Sequence, residues 1–277
     1  MIKQIVLASL LISNFLYAGQ MEENVLNFEK QRLSNNKRMQ VKEMKIIHKE
    51  KIASKGWYAY IIDIELGLHN RIARIKDIVF TNGSMIATEL NDIKTGVSLK
   101  KEMSPKLNDV FHNKEHLMAG SHNAKDKIVV FSDPMCSACK IKVLQLIKYV
   151  NERKNKIGLY YYHFTNIQVQ SASSIVSKAM IVAQKEGSVD IVSKIYSTNL
   201  DKLFDKNETE TKIVLDAFNN TFNTNITTLQ LEEKETKEEL MRDIIMADAV
   251  MITSTPSIFI NGIKDKSKEK YKTLGMK

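Results

Sequence analysis

Cys136 and Cys139 are the only cysteines in 277 residues, and they stand as Cys136-Ser137-Ala138-Cys139 directly after the apolar run Ile128-Val129-Val130-Phe131. The spacing predicts a strand that ends in a loop and opens a helix at the first cysteine. There the sulfur meets unpaired N–H groups and the positive end of the helix dipole, which stabilise a thiolate. A lowered pKa makes Cys136 both a competent nucleophile at neutral pH and a good leaving group, and Cys139, one turn later, can close back onto it. A disulfide across so short a loop constrains the unfolded chain little, so the pair reads as chemistry rather than as a staple. Pro134 before the first cysteine and Lys140 and Lys142 after the second agree with that reading.

A C-x-x-C is also half of a zinc site, and a structural zinc takes four ligands. His112 and His116, at the spacing of one helix face, are the pair that would complete it. His163 near the end of a predicted strand has apolar neighbours and reads as a packed residue, and Tyr160 to Tyr162 alternate faces of that strand as core plus surface. Met241, Met246 and Met251 read as helix packing.

The N-terminus carries Lys3, an apolar stretch from Ile5 to Ile12 broken only by Ser9, and the ending Leu16-Tyr17-Ala18-Gly19. This is the pattern of a secretory signal over residues 1–18, and it is short against the ~20 residues a bilayer span needs. An uncleaved anchor is the alternative, since Leu16 departs from the small-residue pattern of a cleavage site. Hydrophobic residues at 43% and charged residues at 26% suffice for packed cores. The net charge of +9 is spread over scattered lysines, among them Lys264, Lys266, Lys268, Lys270 and Lys272, which reads as solvated faces and not as a nucleic-acid groove.

Residues 22–51 lack Pro and Gly and carry Val25, Phe28, Leu33, Val41, Met44 and Ile47 among charges, which predicts mostly helix. Strands are expected at Trp57–Ile62 and Ile78–Phe80, with an Asn82-Gly83 turn and a returning strand over Met85–Leu90. After Ser104-Pro105, residues 105–126 read as a connecting helix. A strand, the cysteine loop, a helix from Cys136 to Asn151 and a strand over Ile157–Phe164 then make a right-handed βαβ unit. Helical patterns over 172–185, 189–203, 209–219 and 229–250 follow before β structure resumes.

It resumes with Thr253-Ser254-Thr255-Pro256-Ser257-Ile258-Phe259-Ile260-Asn261-Gly262, a proline entering a strand that ends in a hairpin signal. A strand-to-helix dithiol with a distant Thr-Pro entering a strand resembles a thioredoxin-fold protein. The resemblance implies that Pro256 is cis and lies against the dithiol, and that the Thr255 backbone can pair with an extended substrate. The words Phe131-Ser132-Asp133-Pro134-Met135-Cys136, the export signal and the additional N-terminal region resemble the periplasmic Dsb proteins, the DsbC and DsbG branch most.

That resemblance implies an α/β thioredoxin-like fold over residues 127–277 with a helical insertion at about 168–250, preceded by a small α+β dimerisation domain at 19–104 and a linker helix at 105–126. It implies a periplasmic thiol:disulfide oxidoreductase or isomerase, with Cys136 as nucleophile, Cys139 as resolving thiol, and Thr255 and Pro256 docking substrate. The expected partners are unfolded or misoxidised exported proteins, a membrane redox protein that resets the dithiol, and a second copy of the chain, with no nucleic acid, cofactor or metal. Two departures matter: Ser-Ala between the cysteines leaves the potential open, and Val130 stands where thioredoxin and DsbA keep a buried acid. Asp133, expected to be exposed in its loop, is a weak substitute. A chaperone that only holds polypeptide and the zinc protein are the alternatives.

Overall fold

A computed structural model describes residues 19–36, 39–68, 71–153, 155–165 and 171–275; the expected signal at 1–18 lies outside them. Among these residues no helix is long and apolar enough to cross a membrane. The chain forms two units, residues 1–105 and 106–277.

In the first unit a helix over residues 19–34, α1, covers an antiparallel meander of β1 (Gln40–Lys51), β2 (Tyr58–Leu68), β3 (Arg71–Thr81) and β4 (Ile86–Ala87). Val25 of α1 packs on Tyr60, Ile62, Ile64, Leu66 and Val79, which alternate onto one sheet face. The helix expected through Lys51 therefore ends early, and residues 40–51 are strand. Val41, Met44 and Ile47 follow each other at three-residue intervals, which mimics a helix. The ladder shows why: register shifts at Val41/Glu43 and Ile46/His48 break the two-residue alternation. The Asn82-Gly83 turn is present, with Gly83 at φ +93° and the Asn82 side chain accepting from the Ser84 and Met85 amides. Its returning strand is only Ile86–Ala87.

In the second unit a five-stranded sheet has the order β5 (Leu117–Gly120), β7 (Ile157–His163), β6 (Asp126–Ser132), β8 (Ser257–Ile260) and β9 (Ile263–Lys264). β6 (Asp126–Ser132), α2 (Ser137–Asn151) and β7 (Ile157–His163) make the βαβ unit, with β6 and β7 parallel. β8 (Ser257–Ile260) returns antiparallel on the other side of β6, and β9 (Ile263–Lys264) follows it. Between β7 and β8 run α3 (Ala172–Lys185), α4 (Ile191–Ser197), α5 (Thr211–Phe222), α6 (Thr228–Glu232) and α7 (Lys234–Ala249).

Residues 105–126 are not the linker helix that their apolar spacing suggested. Asn108 and Asn113 cap two short 3-10 turns, Asp109–His112 and Lys114–His116, and the chain then runs as β5 (Leu117–Gly120) along β7. A 3-10 turn repeats every three residues and so imitates the helical pattern over a short stretch.

Both faces of the sheet are covered. Ile128, Val130, Leu159 and Tyr161 face a core with α2 and α3, whereas Val129, Phe131, Tyr160 and Tyr162 face Phe111, Ala247 and Val250. All three tyrosines are thus core, in place of the expected alternation of core and surface. Met246 packs on the second face as expected, while Met241 is exposed.

Candidate active site

The loop between β6 and α2 is shaped by one carboxylate. Asp133 Oδ1 accepts from the Met135 amide at 2.7 Å, and the Asp133 carbonyl accepts from the Cys136 amide at 3.1 Å. This turn brings Cys136 to the N-cap of α2 in extended conformation (φ −81°, ψ 116°), where its sulfur accepts from the Cys139 amide at 3.4 Å. Cys136 is half-buried and Cys139 fully buried among Val143, Leu146 and the rest of the inner core.

Across the loop stands the segment before β8. The register Phe131↔Ser257 sets Thr255 and Pro256 beside the end of β6, and the Thr255–Pro256 peptide is cis. Cys136 Sγ lies 3.7 Å from the Thr255 carbonyl oxygen.

Electrostatics separate the two sulfurs. The hydrogen bond from Cys139, then those of the Thr255 side chain and of the Cys139 and Ala138 backbone, hold the Cys136 thiol down to about 5 against the cost of burial. Cys139 moves the other way: its hydrogen bond to Cys136 and its burial push it up, only partly opposed by the Asp133 backbone, Ser132 and Thr255. One sulfur is a thiolate at neutral pH and its neighbour is a proton-carrying thiol, which is the division of labour that attack followed by resolution requires.

A groove of about 250 Å³ opens beside Cys136, with Met135 and Ile141 on one side and Ile195, Tyr196 and Leu200 of the helical insertion on the other; Lys140 and Asp201 lie in the same lining. Ile141 is 63% exposed; the helix buries Cys139, Val143, Leu146 and Val150.

Four residues singled out in the sequence therefore meet in one place: Cys136, Cys139, Thr255 and Pro256. His112 and His116 do not join them. His116 stacks on Tyr162 with ring centroids 4.0 Å apart and bonds Asp243 at 2.7 Å, and His112 pairs with Asp109. Tyr162 belongs to the core on the face of the sheet opposite to that of Cys139, so the zinc arrangement does not form. Among the described residues no three His, Cys, Asp or Glu converge on a metal position.

Asp133 also differs from expectation. It is half-buried, its second oxygen accepts from the Ser173 hydroxyl at 2.7 Å, and burial raises its pKa. Sequence reasoning missed Ser132, Tyr161 and Tyr196, whose hydroxyls bond one another in the core that also holds Cys139. Tyr196 comes from a helix 57 positions beyond that cysteine, and nothing local to it announces a role.

A family model described as thioredoxin matches residues 112–276 of this sheet and site. The chain belongs to the thioredoxin family. A probable disulfide bond formation protein D from Bacillus anthracis is 26% identical over 176 residues, covering 60% of this chain and 78% of that protein. The protein of the same name from Bacillus cereus is 25% identical, covering 60% and 79%. Among solved structures, oxidised BdbD from Bacillus subtilis has a TM-score of 0.47 at 18% identity, covering 61% of this chain and 92% of that one. ScsC from Proteus mirabilis has 0.45 at 18%, covering 60% and 72%. The thioredoxin-like fold of this family, with the α1–β4 unit before it and the insertion of α3 to α7, is the architecture described above, and the family match is broader than the DsbC and DsbG branch.

Proposed function

We propose that this thioredoxin-family chain is an exported thiol–disulfide oxidoreductase that donates or reshuffles disulfides in periplasmic proteins. The observation that carries the reading is the asymmetry of the dithiol, a thiolate-forming Cys136 at the mouth of a groove and a proton-holding Cys139 buried behind it. In the donating direction a substrate thiolate attacks Cys136 of the oxidised pair and Cys139 leaves; a second substrate thiol then displaces Cys136, and the dithiol is left reduced.

Thr255 in this reading holds the substrate chain by its backbone, as an added strand segment. The apolar lining of the groove accepts the side chain next to the substrate cysteine. A stabilised thiolate is a stabilised reduced form, so the direction favoured is disulfide donation, with reshuffling when a membrane partner keeps the pair reduced. The signal-like pattern of residues 1–18 and the names of the two Bacillus relatives support the same reading. A homodimer through residues 19–104 belongs to the proposal too, with the 12-residue edge strand β1 as a surface suited to pairing.

The deciding measurement is the equilibrium potential of Cys136/Cys139 against glutathione. A value nearer about −120 mV than about −270 mV is expected for a disulfide donor. A value near the lower figure would make the chain a reductase, and absence of any reversible couple would remove the proposal.

A further inference from the structure

Cys136 can cap α2 only if the chain enters the helix at the right angle, and the turn before it sets that angle. Pro134 has no amide proton, so between Asp133 and α2 only the amides of Met135 and Cys136 need an acceptor. Asp133 supplies both. Its side chain accepts from the Met135 amide at 2.7 Å, and its carbonyl accepts from the Cys136 amide at 3.1 Å. A side-chain turn and a backbone turn thus start from one residue, with proline second, where its fixed φ suits them. At the far end of the turn the Cys136 carbonyl accepts from the Lys140 amide at 3.1 Å and its sulfur from the Cys139 amide at 3.4 Å, so Cys136 is an N-cap by backbone and by side chain.

The carboxylate that makes the first of these bonds is itself held from another element. Its second oxygen accepts from the Ser173 hydroxyl at 2.7 Å, and Ser173 lies in the first turn of the 14-residue α3, where the helix dipole favours a negative charge. The one hydroxyl proton of Ser173 points to the carboxylate, so in the 2.6 Å contact between Ser173 and Thr165 it is Thr165 that donates. Thr165 is buried and follows β7. The cysteine loop, the chain after β7 and the start of the helical insertion therefore meet at one side chain. With both oxygens engaged, the Asp133 rotamer is fixed, and with it the Met135 amide.

We propose that Asp133, held by Ser173, is the positioning residue of the reactive sulfur: its carboxylate keeps Cys136 on the N-terminus of α2. The inference rests on the reading above, in which Cys136 is the exchanging sulfur. Asp133 acts through the Met135 amide and the turn, not through its charge, and the two modes have opposite signs. A negative charge near Cys136 disfavours the thiolate, so a carboxylate felt through its charge raises the pH at which the sulfur ionises. A carboxylate that keeps the sulfur at the helix N-terminus lowers it.

The test measures the pH midpoint of Cys136 alkylation by iodoacetamide in the full chain, read on the Cys136 peptide by mass spectrometry. Asp133→Asn keeps an acceptor for the Met135 amide and offers Ser173 a donor, without the charge; Asp133→Ala keeps neither. Lys140 and Asp201, the charged groups that share the groove lining with Cys136, are the same in every variant. Asp133→Ala is expected to raise the midpoint by about one pH unit, the worth of one hydrogen bond on which a charged group depends. Asp133→Asn is expected to leave it at or just below the wild-type value. Ser173→Ala should move it in the same direction as Asp133→Ala and by less, and it takes the place of Asp133→Ala in the comparison if that variant does not fold. An unmoved midpoint in Asp133→Ala overturns the positioning role, as do equal shifts in Asp133→Ala and Asp133→Asn in either direction. A wild-type midpoint in Ser173→Ala overturns the hold from α3. Exchange with glutathione is followed in parallel: a wild-type chain that alkylates with the expected profile but does not exchange removes the proposed function, while the midpoints still decide the role of Asp133.

Discussion

At the scale of single residues, two sulfurs one helical turn apart differ because one caps the helix and the other is sealed under it. Cys136 titrates at about 5, so its alkylation rate should be flat from about pH 6 to 8 and fall as the pH drops through 5. Replacing Thr255 by Val removes one hydrogen bond to the thiolate, and the midpoint should rise by about one pH unit, the worth of one such bond to a charged group. An unmoved midpoint in an iodoacetamide titration would remove Thr255 from the electrostatics of the site. Cys139→Ser should trap substrates as mixed disulfides on Cys136, read as bands that vanish on reduction. The cysteines were legible because their chemistry is local to a short word, and the Thr-Pro pair because the resemblance to thioredoxin-fold proteins set it against them. Ser132, Tyr161 and Tyr196 were not, because a hydroxyl says nothing about what packs beside it.

At the scale of elements, close approach and burial give the sharpest expectations. Gly120 ends β5 at φ +80°, and a Cβ there would fall 2.0 Å from the Ile157 carbonyl oxygen on the neighbouring strand. Gly120→Ala should therefore cost about 3 kcal/mol or more in urea unfolding, since neither backbone can yield. At the end of β7, His163 is buried and its pKa falls to about 4, mainly through desolvation. The unfolded chain binds this proton first on acidification. The stability due to a neutral His163 is complete above about pH 6.5 and is lost as the pH falls toward 4, by about 3 kcal/mol. His163→Phe should flatten that part of the unfolding profile; an unchanged slope would show that other groups set it. The elements themselves were read with mixed success for a physical reason. α3 was recovered residue for residue because its apolar face is long and regular, whereas β1 was misread because its bulges erase the alternation that marks a strand.

At the scale of the whole molecule, an independent N-terminal unit precedes the thioredoxin-like one. Sedimentation of the full chain should give twice the 31.7 kDa of a single copy if residues 19–104 pair two subunits as proposed; a monomer at micromolar concentration would remove the dimer and leave the dithiol chemistry untouched. Residue type and spacing, read locally, were enough for the reactive pair, the strand-to-helix junction on which it sits and a helical insertion between two strands. That the Thr-Pro strand faces the pair was implied by the resemblance to thioredoxin-fold proteins and not by spacing. Tertiary structure alone decided that residues 40–51 are strand and that β5 joins the catalytic sheet in place of a linker helix. It also sent His112 and His116 to the face of the sheet away from the cysteines, half-buried Asp133, and joined three hydroxyls inside the core. Those outcomes depend on which surfaces meet across the fold, and an imidazole, a carboxyl or a hydroxyl takes its chemistry from the neighbours that such meetings supply.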